Sequence, residues 1–399
     1  MFHEKALSEE QAMLRRFVAD LAKEYGNAYF VKQSRADAFP AEFWKVLADN
    51  GFLGLEIPES LGGSPFQLAD LVVLLYSLGA AGMTSFHLLD QLVAGHVLTA
   101  FADEAQKKAY WPALAAGEHW AAALFEDTTG GSAFACNTTA QKEGDTYVLN
   151  GSKPLVTLGG EAKHLLVAAR TQPRDAANPA AGLILLAVDA GAPGITAQAR
   201  ELNVRVAETP EHRSATGDKY YRLELKDVRV PASALLGSED GAAAKRALSR
   251  YLLMIAASAA GWGDRVIEQG VNYANQRVLY TEPISAYQAI QHPMVRAKTE
   301  VEMAKLLITR AVDAHGETDD ADDLLTYSAM AKYLAAEAAF QAFDISMQAH
   351  GGSGFDRDTG LITLWPLSIL ARMLPMNGDL ILEQYGERLL APEPDTVPA

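Results

Sequence analysis

Residues 219–230 read KYYRLELKDVRV. Tyr221, Leu223 and Leu225 alternate with charged residues, the period of two that marks a strand with one face buried. Working back along the chain, LILLAVD (183–189) and HLLVAAR (164–170) are short apolar runs of strand length, and TYVLNGSK (146–153) reads as a strand running into an Asn-Gly turn. Proline and glycine punctuate the gaps, and no helical period intervenes. The segment from about Trp120 to Ser238 is therefore expected to be an antiparallel β domain and not a βαβ unit.

Both flanks switch to a helical period. Before Trp120, Ser8-Glu9-Glu10-Gln11 fits a capping box. Met13, Leu14, Phe17, Val18, Leu21 and Tyr25 then fall on one helical face. FWKVLADNG (43–51) ends on a glycine suited to a left-handed helix stop, and 68–79 and 83–101 are apolar nearly all round, as buried helices are. Asp103 opens a further helix that Gly117 stops. After Gly241, helices are expected over 242–279, 286–316, 322–349 and 377–390, the first broken near Gly261–Gly263. The fold class is α+β: an N-terminal helical domain (1–119), a middle antiparallel β domain (120–238), a C-terminal helical bundle (239–391) and a Pro-rich mobile tail (392–399).

The 399 residues, about half of them apolar, can bury a large core. A formal charge of -16 argues against a broad nucleic-acid footprint, and an anionic ligand would need local basic residues or backbone N–H groups. The single cysteine, Cys136, excludes an internal disulfide framework and reads as a small packed hydrophobe. The N-terminus lacks a signal-peptide pattern, and LLMIAASAAGW (252–262) is too short to span a bilayer, so a cytoplasmic protein without membrane insertion is expected, or an organellar one if a transit peptide is removed ahead of this numbering.

Three groups of residues carry possible chemistry. In QAHGGSGFDR (348–357), Gly351, Gly352 and Gly354 end a helix abruptly, which lets backbone approach a ligand and leaves N–H groups for phosphate oxygens. Gln348 can both donate and accept. The same pattern equally describes a plain helix stop, and His350 fits packing better than a catalytic base. Arg277, Tyr280 and Gln288 lie at a helix–loop–helix junction, where Arg277 could make a bidentate phosphate contact, or be a surface arginine. Gly130-Gly131-Ser132 and GSKPLVT (151–157), with Thr157, could hold a flat, polar-edged ring, or be ordinary turn and strand. His87 and His96 have no metal-ligand spacing and read as core or surface histidines.

Taken together and in this order, the segments resemble the acyl-CoA dehydrogenase family of flavoproteins across essentially the whole chain. AAALFEDTTGGSA (121–133), YVLNGSKPLVTLGG (147–160), LKDVRVPASALLG (225–237), NQRVLYTEPISAYQAIQ (275–291) and QAHGGSGF (348–355) carry the likeness. The resemblance implies FAD. Gly131 and Ser132 would lie on the pyrophosphate side of the chain's own flavin, with Leu155, Val156 and Thr157 lining the ring system. Arg277, Tyr280, Gln288, Gln348, Gly351 and Gly352 would serve the flavin of a neighbouring subunit. It therefore implies an oligomer: a homodimer, a homotetramer, or a hetero-oligomer with a related chain. It also implies an acyl-CoA or acyl-carrier thioester substrate and an electron-transfer flavoprotein or other acceptor.

The chain departs from the pattern at the catalytic base. The usual glutamate position falls on Asn377 when the glycines are aligned, or on Pro375 by direct count; neither can take an α-proton. The alternative glutamate position of the family falls on Tyr251, a poor base near neutral pH. Leu155 replaces the usual aromatic residue and Ala133 the usual acidic one. Asp379 is the nearest carboxylate to the altered motif, either a displaced base or a first-turn aspartate favoured by the helix dipole. Arg246 and Arg250 could meet CoA phosphates or form a solvated basic turn, and the spacing of Glu126 assigns it no role. Three functions stay open: an acyl-CoA dehydrogenase with an unorthodox base, a non-catalytic subunit, and a flavin monooxygenase.

Overall fold

The structure is a computed structural model that describes residues 2, 7–36, 38–64, 66–124, 134–175, 178–200, 218–356 and 359–390. Six helices come first: α1 (Glu9–Tyr25), α2 (Asn27–Arg35), α3 (Ala41–Asp49), α4 (Leu68–Ala80), α5 (Phe86–Phe101) and α6 (Glu104–Ala115). Their ends follow local chemistry. The Ser8 hydroxyl accepts from the Gln11 N–H and the Gln11 side chain accepts from the Ser8 N–H, both at 3.2 Å, closing the capping box. Asp103 and Gln106 repeat the device at α6. Gly51 and Gly117 adopt φ +76° and +95° just past α3 and α6. On α1 the buried face is Leu14, Val18, Leu21 and Tyr25, whereas Met13 is turned to solvent.

The β region holds β1 (Trp120–Ala123), β2 (Thr139–Glu143), β3 (Thr146–Thr157), β4 (His164–Arg170), β5 (Leu183–Asp189), β6 (Ile195–Arg200), β7 (Tyr220–Pro231) and β8 (Leu235–Leu236). They form one sheet in the order β6-β7-β3-β2-β4-β5-β8, with β1 beside β4. The pairing corrects a purely antiparallel expectation: β1 runs parallel to β4, as does the single β2–β4 contact at Thr139 and Arg170. Helix α5 leads into β1 through α6, so β1 enters the sheet from the helical side and not from a neighbouring hairpin.

A second correction concerns Asn150-Gly151. They do not turn the chain; β3 continues through them to Thr157. The register against β7 slips between Leu149↔Val228 and Gly151↔Leu225, so β7 carries an extra residue there, a β-bulge. Asp227 sits in the left-handed region at φ +51°, and the Asn150 side chain accepts from its N–H at 2.9 Å and donates to its carboxylate at 3.2 Å. A Cβ at Gly151 would lie 2.5 Å from the Thr138 hydroxyl, so glycine is set there by close approach. The bulge explains the phase of 219–230, where Leu223 and Leu225 are buried and then Val228 and Val230.

After Gly241 come α7 (Ala242–Gln276), a two-residue-stranded hairpin of β9 (Val278–Leu279) and β10 (Glu282–Pro283), then α8 (Gln288–Glu317), α9 (Ala321–His350), α10 (Leu361–Met373) and α11 (Gly378–Leu389). Helix α7 is unbroken through Gly261–Gly263. Gly261 instead admits the backbone of α4, since a Cβ there would meet the Tyr76 carbonyl at 2.2 Å. The hairpin replaces the plain loop expected between α7 and α8, and α10 lies where no helix was expected. The tail 392–399 is outside the described residues.

Two apolar cores result. One joins the N-terminal helices to α7–α10; the other fills the sheet with Tyr147, Leu149, Val156, Leu165, Val167, Ile184, Leu186 and Leu223. β4 and β5 face both: Leu165 and Val167 point into the sheet core while Leu166 and Ala168 join the helical one. Burial on both faces is why these strands read as continuous apolar runs, while β7, exposed on one face, alternates. Cys136 is buried in the helical core, as a small hydrophobe would be.

Candidate active site

The end of β1, the end of β3, the start of α5 and the first third of α7 meet in one place. Ser85 caps α5, accepting from the Leu88 N–H, and donates its hydroxyl to Asp218 at 2.8 Å. Asp218 also accepts from the Phe86 N–H at 2.7 Å, so a carboxylate just ahead of β7 sits on the positive end of α5. One turn on, the Gln91 side chain accepts from the Trp120 N–H at 2.9 Å and donates to the carbonyls of Leu114 and Glu118. Helix α5 is thereby fastened to both ends of the sheet's entry.

Between these anchors lies Asp90, 2% exposed. Its carboxyl accepts from the Tyr251 hydroxyl of α7 at 2.8 Å and is also hydrogen-bonded by the Ala122 backbone and the Thr157 side chain. Burial pushes this carboxyl well above the usual carboxylate range; Tyr251 and Ala122 pull against that, and Asp218 adds to it. Tyr251 is moved the other way from what a base requires: burial and then Asp90 push its hydroxyl well above the ordinary tyrosine value. Tyr251 is therefore a donor to a carboxyl and not a proton acceptor, which corrects its candidacy as a base. Thr157 and Val156 are buried at this junction, and Leu155 is half-buried beside them.

Asn377 caps α11: its side chain accepts from the Leu380 N–H at 2.9 Å. The residue at the usual glutamate position is thus engaged in helix capping, and Asp379 is an exposed first-turn residue of the same helix. Beneath them Lys332 of α9 is buried and donates to the carbonyls of Arg372 and Met376 at 3.0 and 2.5 Å; burial pulls its amine down to about 7.

The two arginines do not form a solvated basic patch. Arg250, 3% exposed, donates to Glu56 at 2.9 Å and lies 2.9 Å from His96 Nδ1. Its helical phase aims it at α5 and the segment before α4, and its Nε and Nη1 find no hydrogen-bond partner among the described residues. Burial raises Glu56, but Arg250 and His96 outweigh it and hold the carboxyl down to about 2. His96 Nδ1 lies between the two, 2.9 Å from Arg250 and 3.2 Å from Glu56; burial and then Arg250 lower the pKa of its ring, and Glu56 pulls the other way. Arg246 pairs with Asp319 at 2.9 Å. His87 is buried against His119, their ring nitrogens 2.9 Å apart, so both histidines of α5 are core residues as expected.

The other sequence candidates share a different surface. Tyr280 stands at the tip of the β9–β10 hairpin with φ +58° and is 91% exposed. Arg277, Gln288 and Gln348 are exposed as well. Gly351 takes φ +55°, and among the described residues nothing lies within 4 Å of a Cβ built on Gly351 or Gly352. The protomer's own packing does not call for glycine at 352, so the open cradle is available to something outside the chain. His350 stacks on Tyr273, centroids 4.2 Å apart, and bonds Ser346: a packing role. Gly131, Ser132, Ala133 and Glu126 lie outside the described residues.

With this geometry in place, comparison with known proteins is informative. Models described as the N-terminal, middle and C-terminal domains of acyl-CoA dehydrogenase match residues 8–118, 121–227 and 240–373. This chain belongs to the acyl-CoA dehydrogenase family. The family member is 30% identical to the acyl-CoA dehydrogenase FadE12 of Mycobacterium tuberculosis over 387 residues, 96% of each chain. It is 31% identical to the acryloyl-CoA reductase (NADH) of Anaerotignum propionicum, over 88% of this chain and 87% of that one. The crystal structure of an acyl-CoA dehydrogenase from Geobacillus kaustophilus superposes with a TM-score of 0.85 at 25% identity, covering 96% and 99%. The helical–β–helical fold and the oxidoreductase class are those of the family.

Asp90 escaped the sequence reading. An ionisable residue in a helix that is otherwise apolar nearly all round was the available signal, because unpaired carboxylates are almost never fully buried.

Proposed function

We propose that this acyl-CoA dehydrogenase family member binds FAD and removes the elements of hydrogen from Cα and Cβ of an acyl thioester. The observation that carries the reading is the meeting of Val156 and Thr157 with a buried carboxyl on α5 and its tyrosine partner on α7. Bound FAD would supply the two-electron oxidation. Leu155, Val156 and Thr157, with Gly131 and Ser132, would hold the chain's own cofactor. Arg277, Tyr280, Gln288, Gln348, Gly351 and Gly352 would complete the cofactor site of a neighbouring subunit. The open cradle at Gly351–Gly352 and the bare aromatic at Tyr280 fit such a group.

The assembly we infer is a homodimer or homotetramer. Val295, Met303 and Leu306 of α8 are exposed apolar side chains at helical spacing, and Val278, Leu279 and Phe355 extend the apolar surface beside the cradle. The domains are taken as 1–119, 120–238 and 239–391. No described helix is long and apolar enough to cross a membrane, and a cytoplasmic setting is proposed, with an electron-transfer flavoprotein or similar carrier as acceptor.

A second reading, a non-catalytic subunit of a hetero-oligomer, is favoured by Asn377, whose capping role replaces a base. One experiment separates the two. The purified chain is reconstituted with FAD and titrated anaerobically with acyl-CoAs of graded length. Bleaching of the flavin band is the expected result. A chain that takes up flavin only with a second polypeptide, and never bleaches alone, would establish the subunit reading.

A further inference from the structure

We propose that Asp90 is the proton-accepting carboxylate of this site, with Tyr251 and Thr157 as the positioning residues that hold it. The inference rests on the proposed function, and it follows from the arrangement of groups around one side chain. A buried carboxyl is costly, and natural cores keep one only with partners and a reason. Asp90 has donors from three separate elements, β1, β3 and α7, none of which belongs to its own helix. Among the described residues no cationic side chain pairs with it, in contrast to Glu56, which has Arg250. The arrangement is that of a carboxyl aimed and tuned, not of an ion pair holding helices together.

The family reaction needs a carboxylate to take the α-proton, and Asn377 and Tyr251 cannot supply it. Asp90 is hydrogen-bonded to the residue at one of those two positions, so a carboxylate is offered from the opposite helix at almost the same place. In the step, the Cα–H bond breaks and its proton forms an O–H bond with Asp90. The electron pair left behind would become the Cα–Cβ π bond, with bound FAD supplying the two-electron oxidation that removes hydride from Cβ. Besides its hydrogen-bonding partners, the titratable groups facing Asp90 and Tyr251 are Asp218 and Tyr220. Burial and a neighbouring acid make Asp90 a stronger base than a solvated carboxylate, as removal of a weakly acidic proton demands.

Two measurements test this. The first follows deuterium uptake at the α-carbon of butyryl-CoA, isobutyryl-CoA and octanoyl-CoA in D2O by FAD-reconstituted protein. Asp90→Asn is expected to slow exchange ~10²–10⁴-fold, Asp90→Glu to restore part of it. Tyr251→Phe, which removes a donor to the carboxylate, should shift the acid limb of the exchange profile to higher pH with its plateau kept. The second uses the cofactor-free chain and thermal unfolding from pH 4 to 9. A carboxyl raised in the folded state binds more protons folded than unfolded, so the wild type loses stability relative to Asp90→Asn as pH rises through that range. Wild-type rates in Asp90→Asn, with bleaching by acyl-CoA intact, would overturn the role of Asp90 alone. A wild type that neither exchanges nor bleaches would overturn the proposed function and this inference together. Should Asp90→Asn not fold, an unshifted pH profile in Tyr251→Phe overturns the proposal.

Discussion

The α5–α7 contact and the hairpin–glycine face are both built by α7, at opposite ends, and they differ in almost every physical respect. At the first, polar groups are mostly buried and paired: Tyr251 with Asp90, and Arg250 Nη2 with Glu56 and His96, although Arg250 Nε and Nη1 find no partner among the described residues. At the second, Arg277, Tyr280 and Gln348 are exposed, and the glycine turn opens onto space. The first region is held by contacts within one chain. The second is proposed to be completed by a cofactor and a neighbouring subunit. The contrast teaches where to look for each kind of defect: changes at the Arg250–Glu56 pair should be felt as lost folding stability, those at Asp90 and Tyr251 as altered proton transfer, and those at the outer face as lost cofactor or assembly.

The sharpest way to break this contrast is Arg250→Met. It leaves the half-buried Glu56 beside His96 without its cation, and the expected loss is about 3 kcal/mol of unfolding free energy in a urea titration, the low end for a broken buried pair. An outer-face result, weaker flavin retention with unchanged stability, would contradict the assignment. Next comes the acid limb. Glu56 is held at about 2 against an ordinary 4.5. Its contribution is therefore present above pH 4.5 and is lost as pH falls through 2, on the order of 3 kcal/mol. Glu56→Gln should lack that part of the acid transition, measured by circular dichroism.

On the outer face, Arg277→Ala should leave the apo-chain's unfolding curve in place while weakening FAD retention by about 1.5–3 kcal/mol, read by flavin fluorescence on dilution. Last comes Gly351→Ala. Among the described residues no side chain or backbone crowds the position, so the cost is the backbone's alone, about 1–3 kcal/mol for φ +55° with ψ -134°, a combination L residues rarely adopt, with a further loss in flavin retention that the apo-chain does not show.

The fold was largely legible in the sequence. Ser8, Asp103, Gly51 and Gly117 mark helix ends through the same hydrogen bonds and left-handed turns in any context, and the expected α8 and α9 limits agree with the structure to within two residues. Asn150-Gly151 misled because an Asn-Gly pair suits a bulge as well as a hairpin turn. The approach of Thr138 and the pairing with Asp227 decide between them, and both are long-range. The break expected at Gly261 failed likewise: the missing side chain serves α4, 180 residues earlier, and not a bend. Helix α10 was missed because it is apolar on most sides and carries Pro366 within it.

The site was half legible. Thr157 and Tyr251 could be picked out by position, but the carboxyl that joins them sits on a helix that gave no motif at all. Helix pairing across domains set that contact, and periodicity carries no record of which helix faces which.

Neighbouring residues of α7 grip the same partner helix at two levels: Arg250 meets His96, and Tyr251 meets Asp90. A slide of α7 by one turn, about 5.4 Å, would tear both attachments at once. Together with Gly261, which lets α4 lock against its flank, the rod has a single allowed depth. Reshaping the outer end of α7 for a new assembly partner is thus mechanically insulated from the chemistry proposed near its beginning.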